Sequence, residues 1–215
     1  MALVSNYNVE DIILKNPKKY SDYLICKVKY PESGDLVIQF PKMRIVETKH
    51  PKTMELEFLN GNSKYTRETY DFVSKVESFL METIFKKSMD FFGKSIPESA
   101  IKKMYNNFIK APKTSHSNCT ASFSLSKNTQ YINKKGSEIN ISEFTPDICK
   151  KVECLAQLKY VMFSKDTCFT IWEAKTLKLH KQVQRVPRYG FVEDPEDVVP
   201  EVESDDEEHL ISTFF

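Results

Sequence analysis

Glycine is scarce, with five in 215 residues, and neither a G-x-G-x-x-G run nor a P-loop occurs. That excludes the glycine-rich loops with which nucleotide-dependent enzymes cradle phosphates. Histidine is scarcer: His50, His116, His180 and His209 stand far apart. No C-x-x-C or H-x-x-x-H spacing accompanies them, so no zinc site is expected. The five cysteines (Cys26, Cys119, Cys149, Cys154 and Cys168) are odd in number and scattered, which fits reduced thiols rather than a disulfide framework. Cys149 and His180 lack the spacing and activating neighbours of a nucleophile and its base, and buried strand cysteines are the simpler reading. The chain is therefore expected to be neither an enzyme nor a cofactor carrier. It has no run of about 18 apolar residues and no apolar stretch over Met1–Tyr20. Neither a membrane span nor a secretory signal is expected, and the protein is placed inside a cell.

Core-forming residues and charge are abundant. The chain is 40% hydrophobic and 12% aromatic, enough for a real core in one domain with decorations. The net charge of +1 conceals a strong partition. From Phe191 onward there are ten acids and no Lys or Arg, which leaves all 31 basic residues facing the other 20 acids in residues 1–190, a net of +11. A basic body with an acidic tail of nearly equal charge suggests a body that binds a polyanion and a tail able to occupy the same surface.

Alternation predicts strands over 23–30, 35–49 and 52–58, with Leu24, Cys26 and Val28 on one face of the first and Pro41 marking a bulge or strand end in the second. The period then lengthens. Phe72, Val76, Phe79, Leu80 and Ile84 recur every three or four residues, predicting an amphipathic helix within 65–87. A second helix is expected from Ser95, with Ser95 and Glu98 as a capping box and Ile101, Tyr105, Phe108 and Ile109 on its buried face. Strand patterns resume at 119–126, with a short partner near 130–133, then at 155–163 and 167–181. Three strands, helices, then more strands suit a small antiparallel barrel better than a doubly wound sheet. Beyond His180 prolines and acids dominate, predicting a tail disordered when unbound.

The stretch LVIQFPKMRIV (36–46), the helix over 65–87, the closing strand FTIWEAKTLKLHK (169–181), YGFVED (189–194) and the final Phe214 and Phe215 carry a resemblance. The chain resembles the single-stranded DNA-binding proteins of phage T7 and its relatives. More closely, it is similar to the related family of large eukaryotic DNA viruses. The resemblance implies an α+β, mainly β fold: an oligonucleotide-binding antiparallel barrel over 1–190 with a two-helix insertion (about 65–111) between its third and fourth strands, and a disordered acidic tail over 191–215. It implies sequence-nonspecific binding of single-stranded DNA in replication and recombination, in a host cytoplasmic viral factory or the nucleus. It further implies that the tail (Asp205, Asp206, Glu207, Glu208, Phe214 and Phe215) competes for the DNA groove and recruits a DNA polymerase or other replication proteins. A viral structural or scaffolding protein that docks through the same peptide is the rival reading, and a homodimer bridged by exchanged tails stays open.

On the body, Lys27, Lys29, Lys42, Arg44, Lys175 and Lys178 lie in or beside expected strands and are candidates for phosphate contacts. Tyr23, Tyr30 and Tyr160 are candidate stackers. Trp172, the only tryptophan, is opposite in parity to Phe169 and Ile171. It either stands outside as a platform for bases or is swung into the core by a bulge at Glu173 and Lys175. Glu55 and Glu57 on the third strand argue against that face as the groove.

Overall fold

The computed structural model describes residues 4, 7–31, 34–49, 52–59, 63–112, 118–139 and 151–180. The acidic tail and Cys149 lie outside them. The chain divides into a unit over Met1–Gln182 and a second over Val183–Phe215. In chain order the first unit contains β1 (Ile13–Leu14), β2 (Lys18–Tyr20), β3 (Tyr23–Lys29), β4 (Leu36–Lys49), β5 (Thr53–Phe58), α1 (Lys64–Lys86), α2 (Ser88–Phe92), α3 (Glu98–Met104), β6 (Tyr105–Asn106), β7 (Ile109–Lys110), β8 (Thr120–Ser124), β9 (Gln130–Ile132), β10 (Lys151–Phe163) and β11 (Cys168–His180). A mostly β structure with three helices results.

Five strands close on themselves. β4 pairs β5, β5 pairs β8, β8 pairs β11, β11 pairs β10, and β10 returns to β4. Four of these pairings are antiparallel, but β8 and β11 run parallel, as do β6 and β9 against β11. The expected all-antiparallel arrangement is corrected there. A strand that re-enters the sheet after a long insertion is not bound to the direction of a hairpin. β1, β2 and β3 extend the sheet beyond the ring, along the outer edge of β10.

Local chemistry explains most of the elements. β4 runs through Pro41 because the ladder to β10 slips there: Phe40 faces Cys154 and Met43 faces Val152, so two residues of β4 oppose one. A residue without an N–H is tolerated at such a bulge. α1 starts where the Ser63 hydroxyl accepts the Thr66 N–H at 3.1 Å, an ordinary N-cap. Its stripe Phe72, Val73, Val76, Leu80 and Ile84 is buried.

The expected second helix is shorter than its pattern suggests. It is capped at Pro97 without a side-chain bond, so the Ser95–Glu98 capping box does not form, and it stops at Met104. Tyr105 and Ile109 pass into β6 and β7, where they pair with β11 and β8. Ladder bonds to an existing sheet outweigh continued helix through Asn106 and Asn107, both poor helix formers. With α2 added, the insertion between β5 and β8 carries three helices, not two.

The core of the ring is aromatic. Phe40 of β4 meets Phe123 of β8 at 4.9 Å and Trp172 of β11 at 5.5 Å, both edge to face. Phe108, from the insertion, closes over them at 5.1 Å from Phe123 and 5.4 Å from Trp172. Such pairs add about 0.5–1.5 kcal/mol each beyond burial. Trp172 is 1% exposed, which overturns its reading as an outer platform for bases. The cause is a bulge at Lys175: Ala156 faces Ala174 while Leu155 faces Thr176. Cys168, Thr170, Trp172 and Ala174 point inward before it, Leu177 and Leu179 after it.

Candidate nucleic-acid interface

The partition of the strands exposes one face. On β3 Cys26 and Val28 are buried, so Tyr23, Ile25 and Lys27 point out; on β10 Val161 and Phe163 are buried, so Tyr160 and Met162 point out. Registered neighbours share a face. One row therefore runs Lys18–Ile25–Met162–Phe169–Asn106 across β2, β3, β10, β11 and β6. A second runs Lys27–Tyr160–Ile171 beside it. Four strand intervals make this surface roughly 19 Å wide.

At its β2 end lies a cavity of about 1020 Å³ lined by Lys15, Lys18, Lys27 and Lys87 with Tyr20 and Tyr160 among them. No carboxylate lines it, and none of these lysines forms an ion pair among the described residues. Tyr20 is 73% exposed. A tight turn holds it there: Ser21, at φ 52°, and Asp22 join β2 to β3 so that Tyr20 faces Tyr23. The Lys159 ammonium sits 5.4 Å from the centre of the Tyr160 ring, a cation–π contact that keeps the tyrosine beside positive charge.

The residues expected from the sequence separate into groups. Lys27 and Tyr160 meet directly across β3 and β10. Lys175 lies at the margin, shared with Lys159 on Glu173: the Lys175 Nζ donates to Glu173 Oε1 at 2.7 Å, and Lys159 donates to the other oxygen. Burial disfavours charge on Glu173, but these two lysines outweigh it and hold its carboxyl below the usual range. Lys29 is engaged by Asp35 at 2.9 Å, and Lys178 lies 4.0 Å from Glu153. Lys42 is exposed on β4, where its charge acts on His180 near the end of β11.

Arg44 donates to Glu57 at 2.6 Å. Burial works against the Glu57 charge, yet the N–H of Asn118 and the Arg44 guanidinium prevail and keep it ionised below the ordinary carboxylate range. The expectation that Arg44 is available to phosphate is corrected, since its charge is spent on a buried acid. Tyr30 is also corrected. It is 8% exposed, packs edge to face on Tyr7 at 5.0 Å and accepts the Asn8 N–H at 3.0 Å, so it cannot stack a base.

Lys15, Lys18 and Tyr20 were not singled out from the sequence. The signal was there in KNPKKYSDY (15–23), where lysines and tyrosines interleave. Too short and polar to read as strand, it becomes one only by pairing with β3.

Within the insertion, buried Glu77 of α1 reaches the segment that follows α3. Its Oε1 accepts the Phe108 N–H at 2.6 Å. Burial, partly offset by that hydrogen bond, pushes its carboxyl up to about 7. Because the folded chain holds this proton more tightly than the unfolded chain, stability falls as pH rises from about 4.5 to about 7 and stays reduced above that. Glu77→Gln keeps an acceptor for Phe108 without the buried charge. It is expected to flatten this dependence and to raise stability at pH 8 by on the order of 3 kcal/mol. Melting curves of both forms across pH 4.5–8 check this; parallel curves would show that Glu77 stays ionised throughout.

Buried thiols offer no chemistry: Cys26 is pushed up to about 12 by burial, and Cys154 and Cys168 are raised further by the same cause. Among the described residues no group of three or more His, Cys, Asp or Glu side chains could hold a metal ion, and no helix is long and apolar enough to cross a membrane.

No protein-family model matches the chain, and no curated protein matches it in sequence. Among solved structures, the single-stranded DNA-binding protein from bacteriophage Enc34 is similar, with 14% identity over 86% of this chain and 98% of that one at a TM-score of 0.44. The same phage protein in complex with single-stranded DNA aligns at 13% identity over 80% of this chain and 97% of that one, TM-score 0.37. The single-stranded DNA-binding protein gp2.5 encoded by bacteriophage T7 aligns at 9% identity over 74% and 97%, TM-score 0.47. With so few residues shared, what the face binds has to be argued from the face itself.

Proposed function

We propose that this chain is a sequence-nonspecific single-stranded DNA-binding protein of replication and recombination, of the kind large DNA viruses encode. In this reading residues 1–190 form an oligonucleotide-binding barrel and residues 191–215 an acidic tail. The observation that carries the proposal is the face on which Lys18, Lys27, Tyr20, Tyr160 and Phe169 lie together, with no carboxylate in the cavity at its β2 end. Lysines track a phosphate backbone, and aromatic rings take unpaired bases at about 1–3 kcal/mol each without regard to sequence. Duplex DNA hides its bases from such a surface; a single strand presents them.

The tail is proposed to compete for this face and to recruit a DNA polymerase or other replication proteins. Asp205, Asp206, Glu207 and Glu208 supply phosphate-like charge, and Phe214 and Phe215 the aromatic anchor. The charge partition supports this: ten acids beyond Phe191 against a body of +11. A tethered segment acts at an effective concentration around the millimolar range. Weak contacts then suffice to exclude stray ligands, while a long strand displaces the tail through many phosphates.

Anisotropy of a labelled oligo-dT strand tests both parts, comparing the full chain with one ending at Gly190 over a series of salt concentrations. The shorter form is expected to bind more tightly at low salt, with affinity falling steeply as salt rises. Absence of binding by either form at low salt would refute DNA as the ligand, and equal affinities would refute competition by the tail.

A further inference from the structure

Where β3 begins and β10 turns into β11 lies a second recess, of about 620 Å³, a volume typical of small-molecule sites at about 300–1,000 Å³. Phe92, Ile96 and Met104 line it while partly exposed, together with a buried Phe163. Phe92 stands edge to face on Phe163 at 5.2 Å and on Phe91 at 6.2 Å, so two rings fix it while part of it stays accessible. Lys94 and Lys165 are exposed at the recess, and neither forms an ion pair among the described residues. Asp22 is the one carboxylate among the described residues that line it.

Hydrogen bonds hold the segments that carry the two lysines. Gly93, at φ 67°, ends α2, and the Ile96 N–H donates to the Ser88 hydroxyl at 3.3 Å, which ties the loop bearing Lys94 back to that helix. On the hairpin side the Ser164 N–H donates to the Thr167 carbonyl at 2.8 Å and the two hydroxyls bond at 2.6 Å, closing the turn that bears Lys165. The recess also adjoins the outer face. Asp22 and Leu24 of its lining flank Tyr23, which points out beside Tyr20. Asp22 stands three residues before Ile25 of the β2-end cavity, roughly 10 Å along the chain, the rise of about three stacked nucleotides.

We infer that this recess is a base-insertion pocket, in which one base of the bound strand turns in past Tyr23 and lies against Phe92 while Lys94 and Lys165 hold its phosphate. The inference rests on the DNA-binding reading above and deepens it. The outer face takes bases on an open surface; the recess takes one between a loop and a turn. A flat ring with an anionic link matches an aromatic lining beside unpaired cations. An apolar side chain of a partner protein would use the lining but leave both lysines without a role. Because loop and turn are fixed beforehand, little ordering is lost on binding.

A full chain labelled with carbon-13 at its isoleucine and methionine methyl groups reports on both places at once, through Ile25 in the β2-end cavity and through Ile96 and Met104 in the recess. Oligo-dT is expected to shift all three, and thymidine 5′-monophosphate to shift Ile96 and Met104 saturably. Lys94→Ala/Lys165→Ala, at exposed positions, is expected to melt like the parent and to bind the monophosphate about three- to tenfold more weakly, with unphosphorylated thymidine unaffected. Phe92→Leu, which keeps an apolar contact with Phe163, is expected to weaken nucleoside and nucleotide alike about fivefold or more. If oligo-dT shifts Ile25 while Ile96 and Met104 stay still, the pocket is refuted and the outer face stands. If anisotropy shows no binding of oligo-dT but the monophosphate moves Ile96 and Met104, the nucleotide pocket stands and the DNA reading falls. If N-acetylphenylalanine amide moves them and the monophosphate does not, the recess receives a protein side chain and the inference is refuted. If no ligand moves them, it is refuted outright.

Discussion

Trp172→Ala is expected to cost about 3–5 kcal/mol of folding stability, a large part of the roughly 5–15 kcal/mol available to a typical domain. The ring sits where Phe40, Phe108 and Phe123 converge, and these come from β4, the insertion and β8. Its removal leaves a cavity that none of them can fill without leaving its own strand. Trp172→Phe keeps a ring there and should cost well under half as much, since volume and edge-to-face contacts largely persist. Urea denaturation of the three proteins measures the series. An alanine variant of near-parental stability would return Trp172 to the surface, where it would act on ligands rather than on folding.

The variant Lys18→Ala/Lys27→Ala is expected to lower affinity for oligo-dT on the order of 50-fold at 50 mM salt. For single strands each phosphate contact contributes about 0.7 to the slope of log affinity against log salt. Losing two flattens the slope by about 1.4, and the affinity difference shrinks as salt rises. Lys64→Ala serves as the control, because Lys64 lies on α1 as a highly exposed residue 3.7 Å from Glu68, away from the face. Its slope should equal the parent's. A double variant that loses affinity equally at every salt concentration would show that these lysines shape the surface rather than contact phosphate, and an unchanged affinity would move the binding face elsewhere.

The ring strands were legible because apolar residues alternate along them, and α1 because its apolar residues recur at helical spacing. The bulge at Pro41 was legible too, since a missing N–H is a local property. The bulge at Lys175 was readable only as an alternative. Parity in FTIWEAKTLKLHK fits either assignment until the register with β10 decides which half faces inward. α3 shows the opposite failure: the helical spacing of Ile101, Tyr105, Phe108 and Ile109 is real and all four are buried, yet only the first lies in a helix.

For the candidate site the division is sharper. Among the expected basic residues, Lys27 was not distinguishable from Lys29 or Arg44 by any feature of its neighbourhood in the chain. What separates them is pairing: Arg44 meets Glu57 across β4 and β5, Lys29 meets Asp35 across a turn, and Lys27 faces Tyr160, more than a hundred residues away, across β3 and β10. Lys18 and Tyr20 join the site only because β2 folds back on β3.

The sequence by itself determined the charge partition between body and tail, the strand and helix character of most segments, and the want of metal-ligand or phosphate-loop motifs. All of these depend on residue type and short-range periodicity. Tertiary structure alone decided that Trp172 is core, that Arg44 is spent on a buried acid, and that a carboxylate-free row of lysines and aromatics crosses β2, β3, β10 and β11. Those outcomes depend on which strands lie side by side and in what register, and closure of the ring sets both.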